Sequence, residues 1–195
     1  MTTSAQPLPT LPPLPRAVAW RAVARCVLTT VGMLRRREVH QPQDNVGRVL
    51  PFADGTTGRV YRETAVDAAP ADPCLLVVSF RLRLVRGRAH PLFRIESLLN
   101  TPLFVGFPGF VSKLWLAHDQ RDLYRGVYEW DGALPAQSYA RSLWRVLELV
   151  SQPGSIDYRV LPGLRRDAVL ADPDLLDGYA VTDPGGGSWW RLVAA

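Results

Sequence analysis

Apolar and polar positions alternate most regularly between residues 75 and 161, and that stretch divides into six elements. Over residues 75–85, Leu76, Val78, Phe80, Leu82 and Leu84 are apolar, while Ser79, Arg81 and Arg83 take the alternate positions. A period of two over this length predicts a strand. Residues 90–100 carry Leu92, Phe93, Leu98 and Leu99 at helical spacing, closed by Pro102. Residues 110–117 and 123–130 read as two strands separated by a short polar turn, and so as an antiparallel hairpin. After Asp131-Gly132, the positions Tyr139, Ala140, Leu143, Val146, Leu147 and Val150 recur at three and four, predicting an amphipathic helix that Pro153-Gly154 stops. Ile156, Tyr158 and Val160 then alternate with Asp157 and Arg159, giving a fourth strand ended by Pro162-Gly163.

The order βαββαβ predicts an α+β, ferredoxin-like domain over residues 74–163. Its flanks differ in pattern. Residues 1–16 hold five prolines and predict a disordered or polyproline II lead with no packed core. Residues 17–34 predict a helix with Val18, Val27, Val31 and Leu34 on one broad face and Arg21 and Arg25 on another. Arg35-Arg36-Arg37 suits its negative C-terminal end. Asp54-Gly55 lies between segments 49–52 and 59–63 and predicts a β-hairpin. Residues 17–73 thus form an N-terminal helix and hairpin extension. Residues 164–195 form a C-terminal extension, in which Trp189-Trp190 follows a Gly185-Gly186-Gly187 linker as a tail expected to fold onto an apolar groove.

Composition narrows the function classes. Apolar residues at 47% and charged residues at 21% are ordinary for a globular chain with a sizeable core. The net charge of +5 comes almost wholly from arginine: Lys113 is the only lysine beside 22 arginines. These arginines are interleaved with carboxylates, and no RNA-binding signature, zinc-finger spacing or helix-turn-helix accompanies them, so nucleic acid is not the expected partner. Two arginines within the 17–34 helix would cost roughly 2.5–3.5 kcal/mol each at membrane depth, which argues against a span. A docking helix and a peripheral anchor on anionic lipid both fit it. The N-terminus lacks a charged region ahead of an apolar run, so no secretory signal is read. Cys26 and Cys74 are expected as reduced thiols in a cytoplasmic protein.

The segments Gly109-Phe110-Val111-Ser112-Lys113-Leu114-Trp115, Tyr124-Arg125-Gly126-Val127-Tyr128-Glu129-Trp130-Asp131 and 136–139 resemble the YdhR-like branch of the dimeric α/β-barrel superfamily, which includes the antibiotic biosynthesis monooxygenases. The resemblance covers residues 75–163. It implies a homodimer in which two four-stranded sheets pack face to face, with a pocket in each subunit between sheet and helices. It also implies oxidation of electron-rich phenols by O2 with no metal or flavin. The sheet itself points to a dimer as well, because helices on one face leave the other bare and apolar.

No catalytic motif names a substrate. The three histidines match no metal-ligand spacing, and no P-loop, Gly-x-Ser-x-Gly or dinucleotide fingerprint occurs. His118, at a strand end, fits a solvated loop residue or a general base at a pocket mouth. Asn100 fits a helix C-cap or a donor to a substrate carbonyl. Glu129 fits a cross-strand ion pair with Lys113 or, if buried, a base of raised pKa. Trp115, Tyr128, Trp130 and Tyr139 are candidates to line the pocket, with core packing as their alternative role. The expected function is a cofactor-independent monooxygenase or related small-molecule enzyme acting on an apolar or aromatic substrate. The alternative is a non-catalytic ligand-binding or interaction module, peripheral to a membrane.

Overall fold

The computed structural model describes residues 6–83, 101–180 and 187–194. The helix expected at 90–100 and the candidate Asn100 lie outside the described residues. In chain order, the described elements begin with α1 (Arg16–Arg35), β1 (Val39–His40), β2 (Val49–Pro51), β3 (Thr57–Val66) and β4 (Pro73–Arg81). They continue with β5 (Phe110–Leu116), β6 (Leu123–Asp131), α2 (Ala133–Leu147), β7 (Asp157–Pro162), α3 (Arg166–Ala171) and α4 (Asp177–Ala180).

The strands lie in the order β1-β3-β5-β6-β4-β7, each pair antiparallel, with β2 paired to β3. Within it, β5-β6-β4-β7 has the ferredoxin-like arrangement, the first of the four strands in sequence lying inside the sheet. The fold is therefore α+β and ferredoxin-like. The hairpin turn at Asp54-Gly55 joins β2 to β3, with Leu50 opposite Gly58. β3 then runs on along β5 and widens the four-stranded sheet.

Alternation along the strands feeds two cores. Cys74, Leu76, Val78, Trp115, Tyr128 and Trp130 point to the side covered by α1 and α2. Leu75, Val77, Leu114, Leu116, Val127 and Leu161 point to the other side, where they meet Leu50, Phe52, Val169, Leu176, Trp190 and Leu192. Among the described residues, the face that the dimer expectation took as bare is therefore covered from within the chain. Its own hairpin, α3 and C-terminal segment occupy that face. Trp190 is 1% exposed, and Leu192 bridges to Phe52. The buried Arg125 guanidinium fastens the cover: it donates to the Trp189 carbonyl at 2.9 Å and pairs with Asp119 at 2.7 Å and Asp54 at 2.8 Å.

Two N-terminal segments pack in ways that the sequence pattern left open. The Pro-rich lead, where described, is ordered against the domain. Proline removes backbone donors but not acceptors, and α2 supplies the donors: Gln137 to the Pro9 carbonyl, Arg141 to Pro12 and Arg145 to Leu14. Leu8 also bridges to Val160 at the β7 edge. In α1 the inward face is Ala19, Val23, Cys26 and Thr30, whereas Val18, Val31 and Leu34 are exposed. Close approach explains the phase. A Cβ on Gly106 would lie 2.3 Å from the Cys26 carbonyl, so only a narrow face of small side chains fits there. Cys26 and Cys74 are both buried free thiols.

Candidate functional site

β5 carries Lys113 and Trp115 to the helix side of the sheet, and register places Lys113 opposite Tyr128 on β6. Between these strands and α2 lies a cavity of about 220 Å³. Trp115, Tyr128 and Lys113 form part of its sheet wall, Phe104 closes one side, and Tyr139 and Leu143 face them from α2. Gly126 makes this packing feasible, because a Cβ there would meet the Tyr128 ring at 2.7 Å. Trp115 is held by a hydrogen bond from its indole N–H to the Thr64 hydroxyl at 3.1 Å.

The Lys113 amine sits inside an aromatic box. Its Nζ lies 3.1 Å from the Trp115 ring centroid, 4.6 Å from that of Phe104 and 4.8 Å from that of Tyr128. Among the described residues no hydrogen bond or ion pair reaches it. Burial, reinforced by the Arg62 guanidinium, holds its pKa well below the ordinary lysine value. Arg62 itself packs over the Trp115 ring at 5.2 Å, and burial lowers its pKa too. A neutral amine is a base and a nucleophile, and only lysine among the basic side chains is readily brought to that state.

The two phenols complete the polar set. Tyr139 donates to the Tyr128 hydroxyl at 3.3 Å. Burial raises the pKa of both, against the Tyr139 hydrogen bond in Tyr128 and reinforced by Tyr128 in Tyr139. Both therefore stay protonated near neutral pH, and the Tyr128 proton remains available to an acceptor in the cavity. An apolar cavity with few convergent polar groups and a perturbed base is the usual form of a small-molecule site.

The structure brings Trp115, Tyr128 and Tyr139 together on this cavity and leaves Trp130, His118 and Glu129 elsewhere. Trp130 is fully buried, its ring 4.8 Å from that of Tyr139 and 5.6 Å from that of Phe110, and serves the core. His118 lies past the end of β5, half-buried, its ring 5.5 Å from Tyr124 and off the cavity wall. Glu129 points to the opposite face, so the ion pair expected between Glu129 and Lys113 does not form: Ser112, not Lys113, is opposite Glu129. Burial raises the Glu129 carboxyl pKa against the pull of Arg166, with Arg165 4.0 Å away, but this group is separated from the cavity by the sheet. Among the described residues no group of three or more His, Cys, Asp or Glu side chains is arranged to hold a metal ion.

Sequence reasoning missed Lys113 as the centre of the site. The signal was in the chain: one lysine where every other basic residue but histidine is arginine, in the interior of a strand that is apolar apart from it and Ser112.

No family model and no curated protein matches the sequence. Solved structures to which the chain is similar include two at low identity. One is an uncharacterized ferredoxin-fold protein related to antibiotic biosynthesis monooxygenases, from Listeria monocytogenes. It is 10% identical, with a TM-score of 0.43, over 65% of this chain and 92% of that one. The other is a monooxygenase-like protein from Listeria innocua, 14% identical, with a TM-score of 0.40, over 69% of this chain and 89% of that one.

Proposed function

We propose that the protein binds an apolar, hydroxylated aromatic molecule in the cavity between the sheet and α2 and acts on it with Lys113 as the base. One observation carries this: the only lysine of the chain lies among three aromatic rings at the cavity wall, with no hydrogen bond or ion pair among the described residues. A phenol entering the cavity would give its proton to the amine. The ammonium so formed is stabilised by the ring faces and paired with the phenolate, which can accept a hydrogen bond from Tyr128. Proton transfer in a low-dielectric cavity thus creates a compensated ion pair rather than an isolated charge. The finer form of the proposal is a cofactor-independent monooxygenase, in which the electron-rich phenolate reacts with O2.

The test pairs a binding assay with an activity assay. Quinols and hydroxylated naphthalenes are titrated against tryptophan fluorescence, and O2 uptake is followed in metal-free buffer. Wild-type protein is expected to bind and consume O2. K113M is expected to keep binding and lose about 100-fold or more of the rate, the usual scale of a general base. Binding without O2 uptake across the panel would make the protein a ligand-binding module. Absence of binding would refute the site.

A further inference from the structure

The amine that can take a proton from a hydroxyl can also attack a carbonyl carbon. We infer that Lys113 captures apolar or aromatic aldehydes and ketones as a Schiff base within this cavity. The inference rests on the cavity being the substrate site, as proposed above, and names a second substrate class for it.

Four features of the structure support it. The amine is enclosed by the Trp115, Phe104 and Tyr128 rings, a setting that accepts a flat, apolar carbonyl compound beside it. Among the described residues no carboxylate ties it up as an ammonium. A second cation, Arg62, packs on the outer part of the same aromatic cluster, and a neighbouring cation together with desolvation is the arrangement that activates nucleophilic lysines. Finally, Tyr128 and Tyr139 provide a hydrogen-bonded pair of protonated hydroxyls on the same cavity.

The chemistry balances without an oxidant or reductant. The Lys113 nitrogen lone pair forms a C–N bond as the carbonyl π bond breaks, and the oxygen takes up a proton, with Tyr128 as the donor to it. The nitrogen gives one of its protons to the Tyr128 oxygen, which restores the phenol and leaves a neutral carbinolamine. Loss of that hydroxyl with a second proton from nitrogen releases water and forms the C=N bond. The sum is one carbonyl compound and one amine converted to one imine and one water. When the imine takes a proton, the same three ring faces that surround the amine stabilise the iminium charge. Such an iminium draws electrons from the neighbouring carbon, the activation needed for proton abstraction or decarboxylation there.

Because Lys113 is its only lysine, this chain offers one side-chain amine besides its α-amino group. Wild-type protein is incubated at pH 7 with cinnamaldehyde and sodium cyanoborohydride, which reduces an imine to a stable secondary amine, and the adduct is mapped by peptide mass spectrometry. The expected result is modification at Lys113 at least tenfold faster than at the α-amino group, suppressed by excess toluene as a non-carbonyl occupant. K113R should lose the internal adduct, and Y128F should slow it. Label on the α-amino group alone, while toluene or a naphthol still binds by fluorescence, overturns Schiff-base capture and leaves the cavity reading standing. Label at Lys113 that toluene does not suppress overturns capture within the cavity. Neither label nor aromatic binding removes both proposals together.

Discussion

Lys113 makes two opposite demands on the protein. A buried amine with no hydrogen bond or ion pair among the described residues is costly to fold around, and the lowered pKa that burial imposes is what gives it chemistry. Replacing it by methionine keeps the length of the side chain and removes the polar atom. K113M is expected to be about 1–3 kcal/mol more stable than wild type near neutral pH by urea unfolding. The sign of the pH dependence follows from linkage. The folded-state pKa lies well below the ordinary 10.5, so between those two values the unfolded chain holds a proton that the folded chain lacks. Wild-type stability therefore rises with pH across that window, and its deficit relative to K113M narrows as pH approaches 10.5. Tyr128 and Tyr139, with raised values, act in the opposite sense above pH 10 but are common to both chains and cancel in the difference. A deficit that does not change with pH would show that the amine is protonated in the folded state. At this scale the sequence was only partly legible. Parity placed Tyr128 and Trp130 on one face and Glu129 on the other. It could not distinguish Tyr128, whose ring reaches a cavity, from Trp130, whose ring is enclosed by Tyr139 and Phe110.

At the level of elements, strands and punctuation were well marked. The hairpin around Asp54-Gly55, β5, β6, α2 and β7 lie where period and turn residues put them. What the local pattern left open was how the flanks meet the rest of the chain. The phase of α1 is decided by Gly106, about 80 residues away, and a helical wheel contains no such contact. The lead is held by donors on α2 that meet proline-segment carbonyls, a long-range complement invisible to local composition. The C-terminal tail was expected on an apolar groove, and Trp190 and Leu192 pack on the second sheet face. Leu75, Val77, Leu114, Leu116 and Leu161 announced a second apolar face, since strands buried on both sides read as near-continuous apolar runs. Pattern alone could not say whether a second copy or the chain's own tail covers it. Trp190→Ala is expected to cost about 3–5 kcal/mol, as for other fully buried large-to-small changes. It should also increase binding of a hydrophobic dye. A change under 0.5 kcal/mol would mean that the tail lies on the sheet without stabilising it.

Across the whole molecule, the two sheet faces have separate tasks. The α1–α2 side holds the cavity with its amine and phenols. The opposite side is fixed by hydrophobic packing and by buried ion pairs, Arg125 with Asp119 and Arg166 with Glu63 at 2.7 Å. Burial would raise the Asp119 pKa, but the backbone N–H groups of Leu123 and Arg121 and the Arg125 guanidinium together hold it below the usual carboxylate value. Its contribution to stability is therefore present above the ordinary value of 3.8 and is lost as pH falls through the lower folded-state value.

The internal cover has a consequence for dilution. A sheet face closed by a second copy is governed by mass action: stability falls as the protein is diluted, and the site is lost with the partner. Here the closing groups Phe52, Trp190 and Leu192 are tethered to the sheet they cover, and their effective concentration does not change with the sample. The thermal midpoint is expected to stay constant over a hundredfold dilution, measured by scanning fluorimetry. A midpoint that falls steadily with concentration would show that a second copy completes the fold. A constant midpoint would mean that the cavity stays intact at the sparse copy numbers at which an assembled barrel would come apart.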